Sequence, residues 1–294
     1  MTEKEFDILT ILESHKEKLS QRELAKDIGV SVGTINSNLV VLEEAGFVEG
    51  GIITQKGIAA LEPYRVKRAV FIAAGFGSRL VPITLNTPKS LIRVKGERII
   101  DSMLDAVIKA GIEEIIIVRG YLSEQFDQLL YKYPNIKFIE NPAYNETNNI
   151  SSAMCARFNL SNAYILEADI LLRNPDLIKK YQYCSNYCGV KCDSTDDWCL
   201  SANKGRVTGV SVGGVNGYRM VGISYWTEKD GKHLSECIEK VYKMPGGKER
   251  YWDNVPLTYF IDDFDIHIRE CSFDDFAEID TYNELKALDS VYRI

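Results

Sequence analysis

The sequence predicts an α/β protein: a Rossmann-like, mixed but mostly parallel sheet with helices on both faces, preceded by a small helical domain. Two observations carry this. From Val66 onward, short β-branched runs alternate with helical stretches, the pattern that buries a parallel sheet between helices. Before that point the chain shows a helical period broken by glycines, and the change falls at Pro63 and "YRVKR". The expected domains are residues 1–64 and 65–294.

The elements follow in order. "EFDILTILESHKEKL" repeats apolar residues at Phe6, Leu9 and Leu12, a helical period. Ser20 and Glu23 form a capping box opening "QRELAKDIGV", and Gly29 ends that helix. Ser31 starts "SVGTINSNLVVLEEAG", which Gly46 stops, and "FVEGGIITQKG" reads as a hairpin turning at Gly50 and Gly51. In the second part, "AVFIAA", "EEIIIVRG", "IKFIEN" and "AYILEADI" read as strands. "RIIDSMLDAVIKAG" reads as a helix with Ile100, Met103, Leu104, Val107 and Ile108 on one face, closed by Gly111. "SEQFDQLLYKY", "NISSAMCARFNL" and "TYNELKALDSVY" read as further helices, and "VTGVSVGG" and "GYRMVGISYW" as antiparallel strands.

The 294 residues are 45% hydrophobic, enough for one large core and one small one. A net charge of −7 argues against a protein whose main partner is nucleic acid or an anionic membrane. No apolar run approaches the roughly 18 residues of a spanning helix. "MTEKEFDILT" lacks the apolar stretch of a signal peptide, so the chain reads as cytoplasmic and without a membrane partner. Four of seven cysteines bunch at Cys184, Cys188, Cys192 and Cys199; their spacing is not that of common zinc sites, and ordinary thiols are the favoured reading.

Residues 1 to about 64 resemble a winged helix-turn-helix domain. The resemblance implies DNA binding through the second helix of the pair. Against that, there is no Lys or Arg from Asp27 to Gln55, and residues 1–68 carry nine basic against eleven acidic side chains. Phosphate contacts supply most non-specific DNA affinity. A dimerisation module, giving a homodimer, or a regulatory module is the other reading.

Several segments carry the chemistry. In "AAGFGSRL", Ala73, Ala74, Gly75, Gly77 and Ser78 follow a strand, where a glycine-rich turn brings backbone N–H groups close to phosphates. Arg79 offers a planar fork and Lys89, in "TPKSL", a compact charge. The stretch is neither a P-loop nor a full G-x-G-x-x-G. "NETNNISS" places Asn148, Asn149 and Ser152 at a helix start, as caps, as ligands or as both. Gly120 and Tyr121 end a strand where a base or ribose can rest. Asp169 in "LEADI" ends a strand and suits magnesium facing a triphosphate. "YWDN" supplies Asp253.

Together these stretches, with "GYLSEQFD", "YNETNNISSA", "EADI" and "VGISYW", resemble the CTP:phosphocholine cytidylyltransferases of the bacterial choline-incorporation type, from Val66 to the C-terminus. The resemblance implies a nucleotidyltransferase fold and CTP as the nucleotide. It implies that Ser152 contacts the nucleotide and that Asp253 is a second metal-binding aspartate beside Asp169. Arg79, Lys89 and Mg²⁺ on Asp169 and Asp253 would then neutralise charge at the α-phosphorus while the acceptor phosphate attacks. The acceptor needs no strong base, because its second pKa is about 6. This fits three histidines, none of them in the motifs.

For the acceptor, Trp198, Tyr225, Trp226, Tyr251 and Trp252 offer aromatic faces for a quaternary ammonium such as that of phosphocholine. Asp196 and Asp197 beside Trp198 leave phosphoethanolamine and 2-aminoethylphosphonate open, and sugar 1-phosphates are a further option. The competing class is a transcription regulator whose α/β domain only senses a nucleotide or metabolite.

Overall fold

In the computed structural model, which describes residues 1–15 and 17–293, the chain forms two compact units. The first holds Met1–Arg65 and Tyr181–Tyr183; the second holds Val66–Lys180 and Cys184–Ile294.

The first unit contains α1 (Glu3–Ser14), α2 (Gln21–Ile28), α3 (Val32–Glu44), the hairpin β1 (Val48–Glu49) and β2 (Ile52–Ile53), and α4 (Gln55–Leu61). Both arms of the Ser20–Glu23 capping box are present at 2.8 and 3.3 Å, and Gly29 closes α2 in the left-handed region. Phe6, Leu9 and Leu12 pack with Leu24, Ile35 and Leu42. The expected hairpin is shorter than its sequence run. Thr54 accepts from the Gly57 N–H and starts α4 where strand was anticipated.

The second unit contains β3 (Arg68–Ile72), β4 (Arg93–Val94), β5 (Glu97–Arg98), α5 (Ile99–Lys109), β6 (Glu114–Arg119), β7 (Ile136–Glu140), α6 (Ile150–Ala156), β8 (Ala163–Glu167) and β9 (Ile170–Leu172). Then come β10 (Asn186–Asn203), β11 (Arg206–Trp226), α7 (Glu228–Lys243), β12 (His267–Cys271), β13 (Phe276–Glu278) and α8 (Tyr282–Leu288). Its seven-stranded sheet runs β10-β12-β11-β8-β3-β6-β7. β3 is parallel to both β6 and β8, β6 is parallel to β7, and β11 enters antiparallel to β8. This is the mixed, mostly parallel sheet the alternation predicts. One core layer holds Phe71, Leu104, Ile117 and Leu166; the other holds Val70, Ile116, Ile165 and Trp226.

Several elements differ from expectation. "SEQFDQLLYKY" is a 3₁₀ segment over Ser123–Tyr131 rather than an α-helix. Ile108 is 49% exposed, off the buried face of α5. The two short strands read in "VTGVSVGG" and "GYRMVGISYW" are one 21-residue strand, β11, paired with the 18-residue β10. The register of that pair shifts repeatedly between Thr195 and Ala202, so the long hairpin bends over. No described helix is long and apolar enough to cross a membrane.

Candidate active site

The parallel strands β3, β6, β7 and β8 end on the same side, and the residues that follow them gather there: the glycine-rich Ala73–Gly77, Gly120, Asn141 and Asp169. A cavity of about 260 Å³ lies at these ends, lined by Ala73, Ala74, Gly75, Gly77, Lys89, Asn149, Ser152, Glu167 and Asp169 among others. Gly77 sits at φ 67°, and a Cβ there would lie 3.1 Å from the Lys89 Cβ. A side chain would strain the backbone and crowd the lysine stem.

Lys89 is the hub of the charge network. Its Nζ donates to Asp169 Oδ2 at 2.6 Å and to Asp280 Oδ1 at 2.7 Å, with its side chain only 15% exposed. Burial by itself would lower its pKa, but the charges of and hydrogen bonds to Asp169 and Asp280 outweigh this and raise it. Arg79 Nη2 reaches the same Asp280 oxygen at 2.8 Å and is otherwise open to solvent. Asp280 arrives through strand pairing: β13 lies antiparallel to β9, Glu278 faces Ile170, and Ile279 N–H donates to the Asp169 carbonyl.

A second cavity of about 470 Å³ adjoins this network, lined by Arg79, Asp197, Trp198, Tyr251, Asp253, Glu278 and Asp280. It shares Asn149, Glu167 and Asp169 with the first, so the two cavities meet at Asp169. Asp253 is brought in by its neighbours: Trp252 N–H donates to Asn149 Oδ1 at 2.9 Å, and Tyr187 O–H donates to Asp253 Oδ1 at 2.9 Å. Arg219 Nη2 bridges Asp197 and Glu278, both at 2.9 Å.

The site carries an excess of negative charge. Glu167 is pushed well above the usual carboxylate range by burial and by the charges of Asp169 and Asp253. Burial raises Asp253 to about 7 against the Tyr187 hydrogen bond. Glu278 rises to about 8 through burial and the charges of Asp169 and Asp280, with Arg219 opposing. Asp169 Oδ1 is buried without a hydrogen-bond partner. An orphaned carboxylate oxygen beside other buried carboxylates fits a divalent cation, which such donors hold well.

The structure separates the residues read from sequence. Ala73, Ala74, Gly75, Gly77, Lys89, Asn149 and Ser152 line the first cavity. Ser78 is exposed at the start of a 3₁₀ turn and lines neither cavity. Gly120 and Tyr121 do not line the first cavity. Tyr121 O–H is engaged by the Thr84 and Leu85 carbonyls at 2.8 and 3.1 Å. A Cβ on Gly120 would meet the Tyr144 ring at 2.7 Å, so the glycine seats Tyr144, which does line the cavity. Asn149 makes no capping bond through its side chain, which serves Trp252 instead. Ser152 Oγ accepts from Asn141 Nδ2 at 3.0 Å.

Of the five aromatics, only Trp198 and Tyr251 line the second cavity, edge to face at 5.4 Å. Tyr225, Trp226 and Trp252 are 2%, 0% and 2% exposed and belong to the core. Their polar atoms are used internally: Tyr225 O–H meets Asn162, Trp226 Nε1 meets Ser224, and Trp252 Nε1 meets Glu167. Asp196 is exposed and lines neither cavity. The residues that sequence reasoning passed over are Glu167, Arg219, Glu278 and Asp280. Glu167 had a local signal, two residues before Asp169; the others are joined to the site only by pairing of distant strands.

A glycine-rich strand end facing a buried lysine and a carboxylate cluster, on a mixed sheet of this order, defines a nucleotidyltransferase. The chain belongs to the nucleotidyl transferase family, whose model matches residues 68–184, and residues 1–49 match the family described as winged helix-turn-helix DNA-binding. It is 36% identical over 228 residues to the 2-aminoethylphosphonate cytidylyltransferase of Lancefieldella rimae, covering 76% of this chain and 92% of that one. It is 31% identical over 229 residues to the choline-phosphate cytidylyltransferase of Streptococcus pneumoniae, covering 77% and 98%. The solved structure of the CTP:phosphocholine cytidylyltransferase from Streptococcus pneumoniae superposes with a TM-score of 0.71 over 77% of this chain and 99% of that one. The chain is therefore an enzyme, a nucleotidyltransferase.

Proposed function

We propose that this enzyme transfers CMP from CTP to a small phosphonate or phosphate acceptor bearing a cationic amine, with release of pyrophosphate. The preferred acceptor is 2-aminoethylphosphonate, ahead of phosphocholine. The junction of the two cavities at Asp169 carries the reading, because in-line displacement needs attacker and leaving group on opposite sides of one phosphorus.

The nucleotide occupies the first cavity, its phosphates against the Ala73–Gly77 backbone and Lys89. Lys89 and Arg79 hold positive charge toward the phosphate oxygens, stabilising charge that grows in the transition state. Asp169 and Asp253 hold the divalent cation, magnesium on this proposal. When bound, it supplies charge neutralisation and orientation at the α-phosphate. The acceptor dianion needs no proton removed, so no general base is invoked.

The order of acceptors rests on the second cavity's lining. A quaternary ammonium offers no N–H and is held by aromatic faces. A primary ammonium donates three hydrogen bonds and needs acceptors. Only Trp198 and Tyr251 supply aromatic surface, whereas Asp197, Glu278 and Asp280 supply carboxyl oxygens besides those of the cation-holding Asp253. Similarity to the 2-aminoethylphosphonate enzyme points the same way. The Trp198–Tyr251 pair is what keeps phosphocholine as the second reading. For residues 1–49, the match to a winged helix-turn-helix DNA-binding family supports a DNA role, and the cation-free stretch from Asp27 to Gln55 favours a regulatory or dimerising one.

The test is pyrophosphate release with Mg²⁺ and CTP, comparing the wild type with Asp169→Ala and Asp253→Ala. The proposal expects robust wild-type turnover with an aminoalkyl acceptor and a loss of at least about 100-fold in each variant. Near-normal turnover in either variant would remove that carboxylate from the site.

A further inference from the structure

We propose that His233, Cys237 and Asp263 form a site for a zinc-type divalent ion that clamps the segment Ile261–Asp263 onto helix α7. None of the three lines either cavity of the catalytic site. His233 and Cys237 are four residues apart on α7 and so share one face of the helix. Asp263 comes from the 3₁₀ turn beyond the Val255–Tyr259 π-helical turn. One nitrogen, one sulfur and one oxygen donor lie within 4.8 Å of one another.

The distances fit a metal as well as they fit hydrogen bonds, and the shared ring nitrogen decides for the metal. A tetrahedral zinc with Zn–N about 2.0 Å and Zn–S about 2.3 Å sets its nitrogen and sulfur ligands about 3.5 Å apart, and nitrogen and oxygen about 3.3 Å apart. Here His233 Nε2 lies 3.5 Å from Cys237 Sγ and 3.2 Å from Asp263 Oδ2. Both partners face the same ring nitrogen. That atom has either one lone pair or one N–H, so it cannot both accept from the thiol and donate to the carboxylate. A cation between the three lets all of them act as donors at once.

The mixed sulfur, nitrogen and oxygen set suits zinc rather than magnesium, which takes oxygen. Binding releases one proton, from the Cys237 thiol to solvent, and His233 binds as neutral imidazole through Nε2. The Nδ1 side faces Glu236 at 3.9 Å, where a carboxylate would orient the ring. Cys237 is fully buried, while His233 and Asp263 reach solvent, so the fourth position opens outward. The clamp acts on the stretch that begins just after Asp253, since Asp253 directly precedes Asn254 and the π-helical turn. It would hold that stretch against α7 and thereby steady Asp253.

The experiment titrates metal-free, untagged protein with Co²⁺ alone, in excess Mg²⁺ to occupy the oxygen-donor site. It follows the cobalt–thiolate charge-transfer band, with Zn²⁺ as competitor. The expected result is one equivalent of cobalt giving a thiolate band that Zn²⁺ abolishes. The band should be absent in Cys237→Ser, weakened at least about 100-fold in affinity in His233→Ala, and unchanged in Asp169→Asn. If Cys237→Ser does not fold, His233→Ala decides alone, because that side chain lies partly at the surface. No thiolate band, or one that persists in His233→Ala at the wild-type affinity, overturns the proposal.

Discussion

Replacing Lys89 with Met keeps the length of the stem and removes the charge at the hub of the network. Two charge-assisted hydrogen bonds, at 2.6 and 2.7 Å, are lost from a side chain 15% exposed. Each such bond is worth about 1.5–3 kcal/mol, and breaking a buried pair by removing one partner costs about 3–5 kcal/mol. Asp169 and Asp280 would then face one another without Lys89, with the raised Glu167 and Glu278 nearby. A fall in unfolding free energy of about 3 kcal/mol at pH 7, the lower end of that range, is the expectation. Turnover should fall a further roughly 10²–10³-fold, the usual effect of losing one charge-stabilising donor. Urea unfolding followed by circular dichroism reads the first effect, and pyrophosphate release at saturating CTP the second. A variant within 1 kcal/mol of wild type that also turns over within about tenfold of it would refute the role given to Lys89.

Other outcomes follow from the same structure. Trp198→Ala and Tyr251→Ala should raise the acceptor KM about 3- to 30-fold with little change in stability, since cation–π contacts are worth roughly 0.5–2 kcal/mol. Trp226→Ala, fully buried, should instead cost about 3–5 kcal/mol in denaturant unfolding. Asp7, raised by burial to about 6, takes up a proton more readily folded than unfolded. Stability of the first unit should therefore be lost as pH rises from about 4 through 6. Asp7→Asn should flatten that window in thermal melts and stabilise at pH 7 by roughly 1 kcal/mol, once the one-third exposure of the side chain is discounted.

What was legible in the sequence is what is local. The capping box at Ser20 and Glu23, the αL glycine at Gly29 and the turn at Gly77 act within a few residues, and each appears where the pattern puts it. The parallel strands were legible because both faces are buried, leaving near-continuous apolar runs such as "AVFI" and "IIIV". Parallel strands also end on one side, so the motifs that follow them converge without further information. Asp280 and Glu278 were not legible. They reach Lys89 and Arg219 through the pairing of β13 with β9, strands far apart in the sequence, and nothing near them in the sequence marks it. The aromatics misled for a related reason. Trp198 and Trp226 look alike as residue types, and only the fold separates the cavity wall from a core position at 0% exposure. Helix α7 carries Leu234, Cys237, Ile238 and Val241 at helical spacing. That period is local, yet the sequence reading passed over it, and with it the 233/237 pair.

The most direct test of the account is the ratio of kcat/KM for 2-aminoethylphosphonate to that for phosphocholine, with CTP and Mg²⁺ in one preparation. A carboxylate-lined acceptor cavity predicts a ratio above about 10 in favour of the primary amine, corresponding to about 1.4 kcal/mol of discrimination. A ratio below one would show that Trp198 and Tyr251 govern the acceptor instead. No turnover with either acceptor would contradict the assignment of a cationic aminoalkyl substrate.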